Sequence, residues 1–218
     1  FQERVNKLAN ALSDQGVVAG DRVAMMQVNT PHCLELYFAS AQLDAIYVPI
    51  NFRSKTEELA QMLEIAEPSV LLLGERYLSL VPEGSQLSNG IILLDGEADG
   101  THKNYEALLA ESSPDQMHFP EAGDEDTTVI MFTAGTTGVP KGVMLTHDSF
   151  SSYLLATVEP ADQEIEESNL ITVPFYHIAG LQAALAAVYG GRTLVVMRQF
   201  EPGEWLRLAQ EKQGNRAM

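Results

Sequence analysis

Ten consecutive residues, Thr133 to Gly142, carry the densest chemistry in the chain: TAGTTGVPKG. They include three glycines, three threonines and one lysine. Glycine lets a backbone approach a ligand closely and reach positive φ. Successive backbone N–H groups in such a turn form a nest that suits an anion. The threonine hydroxyls add neutral donors, and Lys141 adds a mobile positive charge. A polyphosphate needs this combination. The spacing is not that of a Walker A loop, which requires Gly-Lys-Ser/Thr, because Pro140-Lys141-Gly142 closes the segment. Nor is it GxGxxG, so a dinucleotide site is not supported. On these residues alone a structural turn is the alternative reading. The second chemically capable residue is His177, set in the apolar stretch VPFYHIAG. Its alternative is a hydrogen-bonded core histidine.

These residues need elements to hold them. Phe1, Val5, Leu8 and Leu12 recur at helical spacing, and Gly16 sits where a C-cap glycine belongs. Strands are expected at 22–27, 45–49, 69–73, 91–94, 128–132, 170–173 and 193–197. Thr30-Pro31 opens a helix with Leu34, Tyr37, Phe38 and Ala41 on one face. Ser54 and Glu57 read as a capping box for a helix that ends near Glu67. Further helices are expected at 104–110, 149–157, 181–188 and 202–212. His147, at the start of the helix after the glycine-rich loop, is expected to cap or pack. Short apolar strands alternating with amphipathic helices predict an α/β fold of mostly parallel sheets flanked by helices. Residues 112–126 are proline-rich, acidic and without apolar periodicity. They are the expected boundary between a first α/β portion, 1–111, and a second, 127–218.

Composition narrows the function class. The 218 residues hold thirty acidic and thirteen basic side chains, a formal charge of −17. A nucleic-acid binder relies on a basic face, so that class is disfavoured, as is an anionic membrane surface. A nucleotide site survives the argument, because it needs local donors rather than global charge. Cys33 is the single cysteine and excludes an internal disulfide framework. With no Asn-x-Ser/Thr sequon, this fits a reducing, cytoplasmic compartment. The most apolar stretch, Leu170 to Gly190, contains Pro174, His177 and Gln182 and reads as buried structure rather than a membrane span.

At the level of whole motifs the sequence resembles the adenylate-forming enzymes, which include acyl-CoA synthetases, peptide-synthetase adenylation domains and beetle luciferases. TAGTTGVPKGVMLTH is similar to their phosphate-loop signature. LANALSDQGVVAGDRV (from Leu8), AIYVPINF (from Ala45), VPFYHIAG (from Val173) and GGRTLVV (from Gly190) resemble further segments in the family's order. One departure is Ala134, where the family usually has Ser or Thr; the backbone N–H remains but a hydroxyl donor is lost.

The resemblance implies a two-step reaction. A carboxylate attacks the α-phosphate of Mg2+-ATP to give an acyl-adenylate and pyrophosphate, and coenzyme A then displaces AMP. It implies that Thr133, Ala134, Gly135, Thr136, Thr137, Gly138 and Lys141 hold the phosphates, with Lys141 a point charge in the first step. It implies that His177 positions the acyl-adenylate and that Phe175, Tyr176, Ile178, Ala179 and Gly180 border the acyl pocket. Amino-acid-activating relatives carry an aspartate there to pair with the substrate ammonium. No Asp or Glu occurs from Ser168 to Phe200, so a neutral, apolar acyl or aryl acid is expected.

The chain is read as an incomplete N-terminal domain without the C-terminal lid. Neither Tyr-Gly-x-Thr-Glu, the magnesium glutamate motif, nor Thr-Gly-Asp occurs, and no metal ligand is assigned. Three readings stand: a fragment of an acyl-CoA synthetase, a carrier-protein-loading relative, or a truncated non-catalytic binding domain. The expected partners are a small carboxylic acid, ATP and CoA; a homodimer is left open. Alone, the chain is expected not to turn over. Acid-dependent ATP–pyrophosphate exchange on it should stay at background, and exchange at a normal enzymatic rate would contradict this.

Overall fold

The computed structural model describes residues 1–96, 100–133, 138–159 and 166–218. The chain forms two compact units, one of Phe1–Gln27 with His32–Thr146, the other of Val28–Pro31 with His147–Met218.

In the first unit the elements are α1 (Gln2–Asp14), β1 (Arg22–Met26), α2 (Pro31–Gln42), β2 (Ile46–Ile50), α3 (Thr56–Ala66), β3 (Val70–Leu73), β4 (Gly90–Leu93), β5 (Lys103–Asn104), α4 (Tyr105–Glu111), β6 (Thr127–Thr133) and β7 (Lys141–Thr146). Seven strands form one sheet in the order β5-β4-β3-β1-β2-β6-β7. Every neighbouring pair is parallel except the last, which is antiparallel. Central strands covered on both faces must be apolar throughout. Val23, Ala24 and Met26 of β1 and all four residues of β3 meet that demand at 0% exposure. Helix α1 lays Val5, Leu8 and Leu12 into the core, and Gly16 adopts φ +93° just beyond its end. Phe1, at the head of the same stripe, is exposed and meets Phe38 edge-on.

Several expectations shift here. The box capping α3 lies one residue later than expected: the Glu58 carboxylate accepts from the Lys55 backbone N–H at 3.0 Å. Ser54 is buried instead. Helix α2 buries Cys33, Leu34, Glu35, Leu36, Ala39 and Ser40, whereas Tyr37, Phe38 and Ala41 of the expected face are half-buried. The strands β5 and β7 and a 3-10 turn at Glu75–Leu80 were not expected. Residues 112–126 connect α4 to β6 inside the first unit, while the division between compact units falls at Thr146/His147. Side chains fasten that connection. Asn6 donates to the Pro114 carbonyl at 2.8 Å, and Asn10 donates to Ser113 and Asp115 carbonyls, each at 2.9 Å. The Asp44 carboxylate accepts from the Glu121 and Ala122 N–H groups.

A buried polar cluster ties three helices together. Glu35 of α2 is 3% exposed and accepts from the Tyr105 hydroxyl and Arg4 Nε, both at 2.6 Å. Arg4 of α1 also reaches Glu106 of α4 at 2.7 Å. The His32 ring packs edge-on against Tyr105 with centroids 4.9 Å apart. A carboxylate is tolerated at such depth only when paired and hydrogen-bonded.

The second unit contains α5 (His147–Thr157), β8 (Ser168–Ile171), α6 (Ile178–Tyr189), β9 (Thr193–Val196), α7 (Pro202–Glu211) and β10 (Arg216–Ala217). Its parallel sheet runs β10-β8-β9. Glu167 ties the ends of this sheet by accepting from Arg216 at 2.8 Å and from Arg192. Leu170–Gly190 is thus divided between a strand and a twelve-residue helix. Among the described residues no helix is long and apolar enough to cross a membrane.

Two groups of the buried cluster make the first unit acid-sensitive. Burial holds His32 below the ordinary histidine value, and the Arg4 guanidinium holds Glu106 below the ordinary carboxylate value. In both cases the unfolded chain binds protons more readily, so stability is lost as pH falls, first below the ordinary histidine range and then below that of glutamate. Thermal unfolding should show Tm falling from about pH 7.5 to about pH 5.5, and His32→Gln should fall less. Equal losses in both proteins would remove His32 from the account.

Candidate functional site

The glycine-rich loop closes a β-hairpin. Strand β6 pairs with β7 in the register Ile130↔Met144, Met131↔Val143, Phe132↔Gly142 and Thr133↔Lys141. This corrects the strand–loop–helix reading: GVMLT after Lys141 is a strand before it is a helix. A short apolar run after Pro-Lys-Gly gives no helical period, and the enrichment in Val, Leu and Thr was the signal that could have revealed it. The same strand β6 lies parallel to β2 through Tyr47↔Val129, and Val129 is fully buried. The hairpin therefore stands on a fixed base while its tip reaches solvent.

At the tip, Thr133, Gly138 and Lys141 are exposed. Ala134, Gly135, Thr136 and Thr137 lie outside the described residues. Gly138 has φ +84° and open space around it, a backbone state that glycine adopts freely. Lys141 forms no ion pair among the described residues, so its ammonium is available to an anion. Gly142 has a packing reason: a Cβ there would lie 3.1 Å from Ile130 Cγ2.

Beside this tip is a hollow of about 290 Å³ lined by Phe132, Thr133, Gly138 and Pro140 and by Asn51, Ser54, Glu58 and Met62. Asn51 and Ser54 of the β2–α3 connection and Glu58 of α3 were missed as site candidates. Their signal was Ser54, read as a helix cap but placed beside the loop. Glu58 accepts from the Lys55 N–H.

The second candidate, VPFYHIAG, belongs to the second unit. Phe175 and Tyr176 are buried, whereas His177 is exposed and occupies the N-cap position of α6. Its ring lies 4.3 Å from that of Tyr176. The turn is closed by His177 N–H donating to the Pro174 carbonyl at 3.0 Å. Gly180 is buried against the same carbonyl: a Cβ there would sit 2.2 Å from the Pro174 oxygen. Asn29, not recognised in the sequence, completes the turn. It is 3% exposed, donates to the Val173 carbonyl at 3.0 Å and accepts from the Phe175 N–H at 2.9 Å.

A groove of about 640 Å³ runs along α6 and is lined by Ile178, Ala179, Gln182, Ala183 and Ala186. Tyr153, Thr157, Asn169, Arg192, Arg216 and Met218 complete most of its walls. Of the expected pocket residues, Ile178 and Ala179 face this groove. Helical spacing puts the five α6 positions on one face, and their alanines give the groove its width. Among the described residues no Asp or Glu lines it. Its two arginines share the single carboxylate of Glu167, whose pKa they hold down to about 2. His147, the first residue of α5, is half-buried, and its carbonyl accepts from the Ser151 hydroxyl. Among the described residues no three His, Cys, Asp or Glu gather into a metal cluster.

Residues 1–214 match the model of a family described as AMP-binding enzyme. A feruloyl-CoA synthase of an Amycolatopsis species is 32% identical over 215 residues, 97% of this chain and 41% of the relative. The long-chain-fatty-acid–CoA ligase FadD13 of Mycobacterium tuberculosis is 28% identical over 95% of this chain and 41% of its own. In three dimensions the chain is similar to the inhibitor-bound N-terminal domain of FACL13 from the same organism. The TM-score is 0.83 at 26% identity, covering 97% of this chain and 52% of that one. The chain spans about two fifths of the length of the curated relatives it matches.

The two glycines should respond differently to alanine. Gly180→Ala must push a Cβ into backbone and should cost about 3 kcal/mol. Gly138→Ala meets no atom and should cost only the left-handed backbone penalty, about 1–2 kcal/mol. Urea unfolding of the two variants tests this, and equal losses would contradict the packing around Pro174.

Proposed function

The chain belongs to the AMP-binding enzyme family, and from that premise we propose that it is the phosphate- and acid-binding part of an ATP-dependent acyl-CoA ligase. The carrying observation is the register that sets exposed Lys141, which forms no ion pair among the described residues, opposite Thr133 at the two ends of the glycine-rich segment. In this reading Thr133, Gly138 and Lys141 hold the β- and γ-phosphates, together with Ala134, Gly135, Thr136 and Thr137. Converting a carboxylate to an acyl-adenylate expels pyrophosphate, and the growing charge on that leaving group is what donors at a turn can stabilise. Lys141 supplies the mobile charge. Mg2+ enters with ATP as its counter-ion, and no described residue is assigned to it. Coenzyme A is the acceptor in the second step.

For the acid we assign the groove along α6, with His177 at its N-terminal end and Ile178 and Ala179 on its wall. A groove without a carboxylate suits a neutral acid and disfavours an amino acid, whose desolvated ammonium would lack a counter-ion. The names of the relatives, a feruloyl-CoA synthase and a long-chain-fatty-acid–CoA ligase, support aryl and fatty acids as the classes to try. Cys33, buried and the single cysteine of the sequence, is consistent with a reducing cytoplasm.

The test is acid-dependent ATP–pyrophosphate exchange by the full-length protein with ferulate, palmitate and phenylalanine. Ferulate or palmitate should support exchange and phenylalanine should not. Lys141→Ala should lower kcat/KM about 100-fold through loss of charge stabilisation, and His177→Ala should act on the acid KM more than on the ATP KM. Preference for phenylalanine, or an unaffected Lys141→Ala enzyme, would overturn the assignment.

A further inference from the structure

We propose that Asn29 is a positioning residue for acid recognition; the inference rests on reading 173–181 as the acid-binding motif. Asn29 lies 144 and 146 residues away from the two groups it holds, so no local pattern marks it. Both polar ends of its buried amide serve one short segment. The nitrogen donates to the Val173 carbonyl, and the oxygen accepts from the Phe175 N–H. These are the backbone groups on either side of Pro174. Pro174 has no N–H of its own to hold the segment, and Asn29 bonds the carbonyl before it and the N–H after it. A primary amide offers one donor edge and one acceptor, and so stands in for a residue of a partner strand.

The clamp has consequences in the direction of the groove. The Pro174 carbonyl between the two bonds accepts from His177 N–H and is the atom against which Gly180 is pressed. Fixing 173–175 therefore fixes the start of α6. His177, Ile178 and Ala179 take their places as one block. Buried Phe175 cannot absorb a shift by swinging outward. A rotation of the turn would move the histidine and the groove wall together. Asn29 touches neither, and it acts through the backbone of Val173 and Phe175.

Substitution at Asn29 thus separates acid recognition from phosphate recognition, since the glycine-rich hairpin is built from other elements. The experiment uses the full-length protein with ferulate and palmitate as probes. It reads the acid KM, the ATP KM and Tm. Asn29→Ala removes both bonds and should raise the acid KM roughly tenfold while the ATP KM stays within about twofold. Asn29→Asp keeps the acceptor for Phe175 N–H and should fall between, and it carries the test if the alanine variant does not fold. Unchanged acid KM in both variants, or parallel rises in both KM values with a lower Tm, would overturn the proposal. Those results are distinct from failure of the function itself, in which the unsubstituted protein would show no exchange with either acid, and the proposal would fall with it.

Discussion

Thr133 and Lys141 face each other across an antiparallel ladder, and that register governs what the glycine-rich segment can be. That register sets the two ends of the segment side by side, and Gly138 near its second end has positive φ. The ladder is in turn fixed by β6, which is parallel to β2 on one side and antiparallel to β7 on the other. Because one face of β6 is buried at Val129 and Met131, a one-residue slip would exchange its two faces. The core thereby determines which residues reach the tip. Lysine opposite threonine follows from the packing of the sheet and not from the loop itself.

The first unit holds its parts together with polar groups in places where apolar contact would have been less specific. Glu35 gathers Arg4 and Tyr105 from two other helices, and Arg4 extends the network to Glu106. Asn6, Asn10 and Asp44 fasten the proline-rich 112–126 connection by its backbone. Such contacts are directional and leave a costly unpaired group if the partner shifts. They explain how a segment with no apolar pattern is nevertheless placed, and why an acidic, proline-rich composition did not produce a separate domain edge there.

The second unit follows the same logic at the turn before α6. Pro174 contributes no N–H, Asn29 holds the carbonyl before it and the N–H after it, and Gly180 leaves room for the Pro174 carbonyl. Each of the three residue types is explained by the same few atoms. The groove that follows is shaped by alanines on one face of α6, and among the described residues no Asp or Glu lines it. Its two arginines share the carboxylate of Glu167.

Much of this protein could be read in the sequence by itself. The buried strands near Val23, Val48, Leu71 and Leu93 announced a parallel α/β sheet, because a strand covered on both faces has no use for polar residues. The glycines, threonines and Lys141 marked a segment with the donors to take an anion, because those donors are local and contiguous. Tertiary structure alone decided the rest. It made GVMLT the second arm of a hairpin, since pairing with β6 outweighed an ambiguous local pattern. It moved Ser54 from a helix cap to the wall of a hollow beside the loop. It buried Phe175 and left His177, Ile178 and Ala179 to face outward. Above all it brought Asn29 to the turn at Pro174. Side chains that bond across more than a hundred residues leave no period and no spacing, so only the folded chain reveals them.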